Sequence, residues 1–107
     1  MTDLTYKQGD LEDAIVLRLA DVTGATLGAA ELRAADSVHL RFSSADRVQV
    51  FERAMTIADD GTVSYAWQVG DLDAVGTYLA EVVVTRSARP QTYPHDGYVT
   101  IAVLQKL

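Results

Sequence analysis

The run Asp59-Asp60-Gly61-Thr62-Val63-Ser64-Tyr65-Ala66-Trp67 decides the fold. Asp-Gly between two alternating segments predicts a tight hairpin, because both turn residues must tolerate positive φ. Beyond the turn, Val63, Tyr65 and Trp67 fall on one side of an extended chain. Thr62, Ser64, Ala66 and Gln68 fall on the other, as a half-buried strand requires.

The same period of two spreads outward from this hairpin. Before it, Val48–Phe51 and Arg53–Ala58 read as two short strands, or as one strand with a bulge. Ser37–Ser43 puts Val38, Leu40 and Phe42 on one face and His39, Arg41 and Ser43 on the other. Ala14–Ala20 alternates with apolar residues on both faces, which predicts a central strand. Leu4–Gln8 is a first strand, broken by Gly9-Asp10. Gly24–Asp36 reads either as a long loop or as one or two helical turns around Ala29–Ala35. After the hairpin, Gly70–Gly76 is a connecting loop and Thr77–Thr85 a long strand facing Tyr78, Ala80, Val82 and Val84 inward. Arg86–Gly97 reads as a loop holding Pro90 and Pro94, and Tyr98–Leu104 closes the domain with Val99, Ile101 and Val103 inward. Seven or eight short strands with frequent turns predict an all-β chain, an immunoglobulin-like two-sheet antiparallel sandwich.

Asp73–Tyr78 adds a topological detail. A Gly followed by Tyr78 at the start of a late, long strand matches the tyrosine corner, where a phenol hydroxyl bonds backbone in the preceding loop. Ala80 then occupies the place where antibody domains carry a cysteine.

The 107 residues read as one domain, residues 1–107. A chain of this size buries roughly 60–70% of its unfolded surface, so it needs neither metal nor disulfide to fold. The absence of cysteine excludes thiolate chemistry and a disulfide framework. Fifteen acidic against nine basic residues give a net charge of −6, which argues against nucleic acid and anionic membrane as partners. The basic residues form no run; Arg18, Arg41 and Arg86 stand inside predicted strands. Met1–Tyr6 lacks the charged and apolar regions of a signal peptide, and no apolar stretch approaches the length of a membrane helix.

No catalytic constellation emerges. His39 alternates out of an apolar strand face, and His95 lies in the turn-like Tyr93-Pro-His-Asp-Gly97. Adjacent His95 and Asp96 point apart in an extended chain, so they do not make a base and its orienting partner. Asp59, Asp60, Asp71, Asp73 and Asp96 sit in loops without the spacing of a calcium loop. Two histidines without cysteine argue against structural zinc, and a glycoside hydrolase usually needs a larger cleft. The chain is therefore expected to be non-enzymatic and without a cofactor. Tyr6, Tyr93 and Tyr98 are expected near the ends or edge of the sandwich. Tyr93 and Tyr98 are the candidate partner contacts, and an aromatic patch there would suit a carbohydrate- or cell-surface-binding module.

Taken in order, Lys7-Gln8-Gly9-Asp10, Leu32–Phe42, the Gly61-Thr-Val-Ser-Tyr65-Ala-Trp67 strand and Gly76-Thr-Tyr78-Leu-Ala-Glu81 span nearly the whole chain. This combination resembles the immunoglobulin-like N-terminal domain of the phage baseplate upper protein family. Members open with Gln-Gly-Asp, carry a Gly-x-Val-x-Tyr-x-Trp hairpin strand and follow it with a Gly-x-Tyr-x-Ala-Glu corner. The stretch from Asp21 to Glu31 is longer than the family's usual turn, and the domain is expected to stand without the receptor-binding part that often follows it in the family. The resemblance implies a virion structural protein of a tailed phage or prophage, made in the host cytoplasm. It would be bound to other virion proteins, as a ring, array or other homo-oligomer. Gln8, Gly9, Asp10, Gly61, Tyr65, Trp67, Gly76 and Tyr78 would then be structural signatures rather than catalytic groups.

Overall fold

The computed structural model describes residues 3–9, 11, 14–20, 23–46, 48–93 and 99–105. Asp10, Asp21, Tyr98 and the Pro94–Gly97 segment with His95 and Asp96 lie outside the described residues. The elements in order are β1 (Asp3–Lys7), β2 (Ala14–Arg18), α1 (Ala29–Arg33), β3 (Ser37–Ser44), β4 (Gln49–Ala54), β5 (Thr56–Ile57), β6 (Thr62–Ala66), β7 (Gly76–Arg86), β8 (Arg89–Tyr93) and β9 (Val99–Leu104).

The strands form two sheets. One runs β1-β9-β7-β3-β4, with β8 also on β7; the other runs β2-β6-β5. All pairs are antiparallel except β1 on β9. In immunoglobulin terms, β2, β6 and β5 are the B, E and D strands, and β3, β7 and β9 are C, F and G. The fold is the immunoglobulin-like β-sandwich the alternation predicts. Ile15, Val63 and Tyr65 on one sheet face Leu40, Phe42, Ala80, Val82, Val84 and Ile101 on the other, all of them buried.

Four local readings need correction. β2 is an edge strand of its sheet, paired only with β6 among the described residues. Apolar residues on both its faces do not mean burial on both: Ile15 is fully buried, but Val16 is 57% exposed.

The second concerns β4 and β5: they are two strands, as one of the two readings had it, but the break falls at Met55 rather than Glu52 and they belong to different sheets. The chain crosses over at Met55, whose N–H donates to Val38 O at 2.9 Å. Phe51, Arg53, Met55 and Ile57 keep facing inward through the crossover, so the alternation runs on while the hydrogen-bonding partner changes.

Third, the Asp59–Gly61 hairpin has a three-residue loop. Gly61 N–H closes a turn to Ala58 O (3.0 Å), and Ala58 N–H bonds Thr62 O (2.9 Å). Only Gly61 has positive φ, +87°, as in a type I turn followed by a left-handed residue. A Cβ there would also meet Leu27 O at 2.9 Å, so both conformation and space call for glycine. Thr62 donates its N–H and hydroxyl to Asp60 Oδ1, at 3.0 and 2.7 Å. These bonds hold the Asp60 carboxyl below its ordinary pKa.

Fourth, Arg86–Gly97 is not all loop. Residues 89–93 return along β7 as β8, in the register Arg86↔Arg89 to Val82↔Tyr93. Pro90 is tolerated because β8 lies on an edge. The two-residue turn, Ser87-Ala88, has both φ values positive (49° and 63°) without the usual Asn or Gly. The double substitution Ser87→Asn, Ala88→Gly is expected to stabilise the domain by about 0.5–1.5 kcal/mol, read as a raised urea midpoint at unchanged slope.

Gly24–Asp36 resolves into a single helical turn. Ala29–Arg33 starts with Leu32 N–H on Gly28 O and buries Leu32 beneath it.

Candidate functional site

The loop Gln68–Val75 joins β6 to β7 and carries two polar anchors. At its start, Asp71 is the one buried charged residue among those described. Its Oδ2 accepts from Tyr65 OH (2.6 Å) and Gln68 N–H (2.9 Å). Its Oδ1 accepts from Arg53 Nη1 at 2.7 Å, and the same nitrogen donates to the Tyr65 hydroxyl. Arg53 comes from β4 and Tyr65 from β6, so the cluster bolts one sheet to the other. The Arg53 guanidinium also lies over the Phe51 ring, 4.4 Å from its centroid. Burial, and then the Asp71 carboxylate, push the Tyr65 phenol above its ordinary pKa. The Tyr65 and Asp71 hydrogen bonds hold the Arg53 guanidinium above its own.

At the end of the loop, Tyr78 OH donates to Ala74 O at 2.8 Å. This is the tyrosine-corner bond predicted from Gly76-Thr-Tyr78. The opening segment docks on the same loop. Gln8 Nε2 donates to Asp73 O (2.6 Å), and Gly9 N–H to Leu72 O (2.9 Å). Gln8, Gly9 and Tyr78 thus converge on three consecutive backbone carbonyls, Leu72 to Ala74. Tyr78→Phe is expected to cost about 1 kcal/mol, the net worth of one hydrogen bond, measured by chemical denaturation.

Trp67, just past the end of β6, is buried at the centre of a ring cluster. It meets Tyr6 (5.2 Å between centroids), Phe42 (5.6 Å) and Tyr65 (5.6 Å), each edge to face. Its indole N–H has no hydrogen-bond partner among the described residues.

These anchors immobilise a surface unlike the rest of the molecule. Strand directions bring Gln8, Gly9 and Leu11, the turn residues Ser44–Asp46 with Val48, the Gln68–Val75 loop and Leu104 to one end of the sandwich. Leu11, Val48, Val50, Val69, Val75 and Leu104 are exposed there, Val69 by 86%. The opposite end, around α1 and the two hairpin tips, carries the ion pairs Arg18–Asp60, Arg33–Asp59 and Arg86–Glu31. Exposed apolar side chains thus concentrate at one end, beside the Arg53–Asp71 pair and the exposed Asp46 and Asp73, while three surface ion pairs stand at the other.

The candidate partner contacts named from sequence fare differently. Tyr93 is a core residue, 5% exposed, because β8 turns it inward opposite Val82. Tyr6 is also buried, opposite Val103. Neither offers a ring to a sugar. His39 lies on the outer face of its sheet, 3.5 Å from Glu52. Asp59 and Asp60 are engaged by arginines, and no group of three His, Asp or Glu converges among the described residues. The Arg53–Tyr65–Asp71 cluster was not recognised from sequence. Its one legible trace is a charged residue, Arg53, on the inward face of Phe51, Met55 and Ile57.

No protein-family model matches the chain, and no curated protein sequence matches it. Among solved structures it is similar to CopC from Methylosinus trichosporium OB3b, with 12% identity and a TM-score of 0.55. The match covers 97% of this chain and 87% of that one. At that identity the likeness is one of fold, and it extends over the whole sandwich.

Proposed function

We propose that the domain is a non-enzymatic assembly module, a structural part of a tailed-phage or prophage particle that binds other virion proteins. The uneven surface carries the assembly reading. Val69 and Val75 lie exposed on the loop held by Asp71, Tyr78 and Gln8, and Leu11, Val48, Val50 and Leu104 are exposed at the same end. A rigid apolar patch loses little conformational entropy on docking, which is what a protein-binding surface needs. The phage context rests on the ordered sequence resemblance. The contacts between Gln8-Gly9 and the loop before Tyr78 favour it, because they make two of its separate motifs one structural unit. The net charge of −6 keeps the free subunit soluble before assembly.

The test is mass spectrometry of density-purified particles induced from the source strain. Peptides of this chain are expected to co-sediment with capsid and tail proteins; their absence would end the virion reading. A chain carrying Val69→Asp and Val75→Asp should be incorporated at least about tenfold less, because two carboxylates would be desolvated at the contact. Equal incorporation would clear the apolar end of any role.

A further inference from the structure

We infer that the free edge of β2 pairs with β2 of a second copy, joining two three-stranded sheets into one six-stranded sheet. The inference goes beyond the assembly reading, since it names a second surface and the partner that surface fits. In the immunoglobulin arrangement, strand A lies beside strand B in the sheet that holds E and D. Here β1 is committed to β9 in the opposite sheet, so among the described residues nothing lies on the outer side of β2. Among the described residues no strand takes the place of strand A.

The other edges carry devices that discourage pairing. β4 is interrupted by a register shift opposite Phe42 and Ser43, and its Glu52 is held by Arg41. β5 has two residues, β8 contains Pro90, and β1 ends in Lys7. β2, Ala14-Ile-Val-Leu-Arg18, has none of these over its first four residues.

The strand is also complementary to itself. An antiparallel pair with its two-fold axis at Val16 sets Val16 against Val16, Ile15 against Leu17, and Ala14 against Arg18. No like charges meet. Val16, 57% exposed in the monomer, is covered by its own counterpart. Leu17, half-buried at the rim of the core, is closed over by the partner's Ile15. Five residues a side make a small interface, so association is expected in the micromolar-to-millimolar range.

The chain lacks cysteine, so single cysteines report the register directly. Directly opposed antiparallel residues have Cα atoms about 4.5–5.5 Å apart, within disulfide reach. Under mild oxidation, Val16→Cys is expected to form a covalent dimer at least about tenfold faster than Ala14→Cys or Val50→Cys. All three positions are solvent-exposed, and circular dichroism with thermal melting checks that each variant folds. In sedimentation equilibrium, Val16→Lys should raise the wild-type dimer dissociation constant at least about tenfold. Wild-type chain that stays monomeric at roughly 1 mM, or Val16→Cys that cross-links no faster than the controls, overturns self-pairing. Either result leaves the particle experiment above to decide the virion role, so the two readings fail separately.

Discussion

Asp71→Ala is expected to destabilise the domain by about 2–4 kcal/mol, the largest effect of any single polar substitution. The carboxylate is almost fully buried, with 2% of its side chain exposed, and it accepts three hydrogen bonds. Removing it leaves the Tyr65 O–H without its acceptor in the interior, with only the Arg53 bond to its oxygen remaining, and the Gln68 N–H unpaired at the start of the loop. Arg53 is 37% exposed at its side chain and can turn to water, which keeps the loss below that of a fully buried pair. For a domain of this size each kcal/mol lowers the melting temperature by about 4–8 °C. Asp71→Asn keeps the shape and one acceptor oxygen but loses the charge, so its cost should lie between wild type and alanine. Calorimetry of the three proteins checks the order. If alanine and asparagine cost the same small amount, below about 0.5 kcal/mol, the cluster does not bolt the sheets together.

Phe42→Ala is expected to cost about 3–5 kcal/mol, enough to leave a marginal domain partly unfolded at 37 °C. Phe42 has no exposed surface and stacks on Phe51 (4.9 Å) and Tyr78 (4.8 Å) while meeting Trp67 edge-on. It links β3 to β4, β7 and the opposite sheet, so no single neighbour can close the cavity. Trp67→Phe supplies the contrast. It shortens an indole whose N–H has no partner among the described residues, and so removes an unsatisfied donor along with part of the ring. The two terms oppose each other, and a cost of about 1 kcal/mol or less is expected from denaturant unfolding. A loss at Trp67→Phe as large as at Phe42→Ala would mean that the indole N–H is bonded after all.

How much of this could be read in advance depended on the kind of question. Tyr78 and its corner were legible because a local motif, Gly76-Thr-Tyr78, builds a local bond to Ala74. The contact between Gln8 and Asp73 was not, since the two residues are 65 positions apart and nothing in either segment points to the other. Tyr93 was misplaced for a related reason. Its neighbours, two prolines and a turn, look like loop, and only pairing with β7 turns its ring into the core. The Asp71 cluster hid because an aspartate in a Gly-rich loop usually forms a turn; its burial follows from Arg53 and Tyr65 meeting it from two sheets.

By itself the sequence determined which side of each strand is dry. Period-two alternation is a property of the extended backbone, and it held across Val38–Phe42, Val63–Trp67 and Val99–Val103, and along Tyr78–Val84 except at Val83, which is buried as well. The tertiary structure alone decided which strands are neighbours. Alternation records inside and outside, while pairing is set by backbone groups that are alike in every residue. That is why the crossover at Met55, the edge position of β2 and the gathering of apolar side chains at one end became visible only in the folded chain.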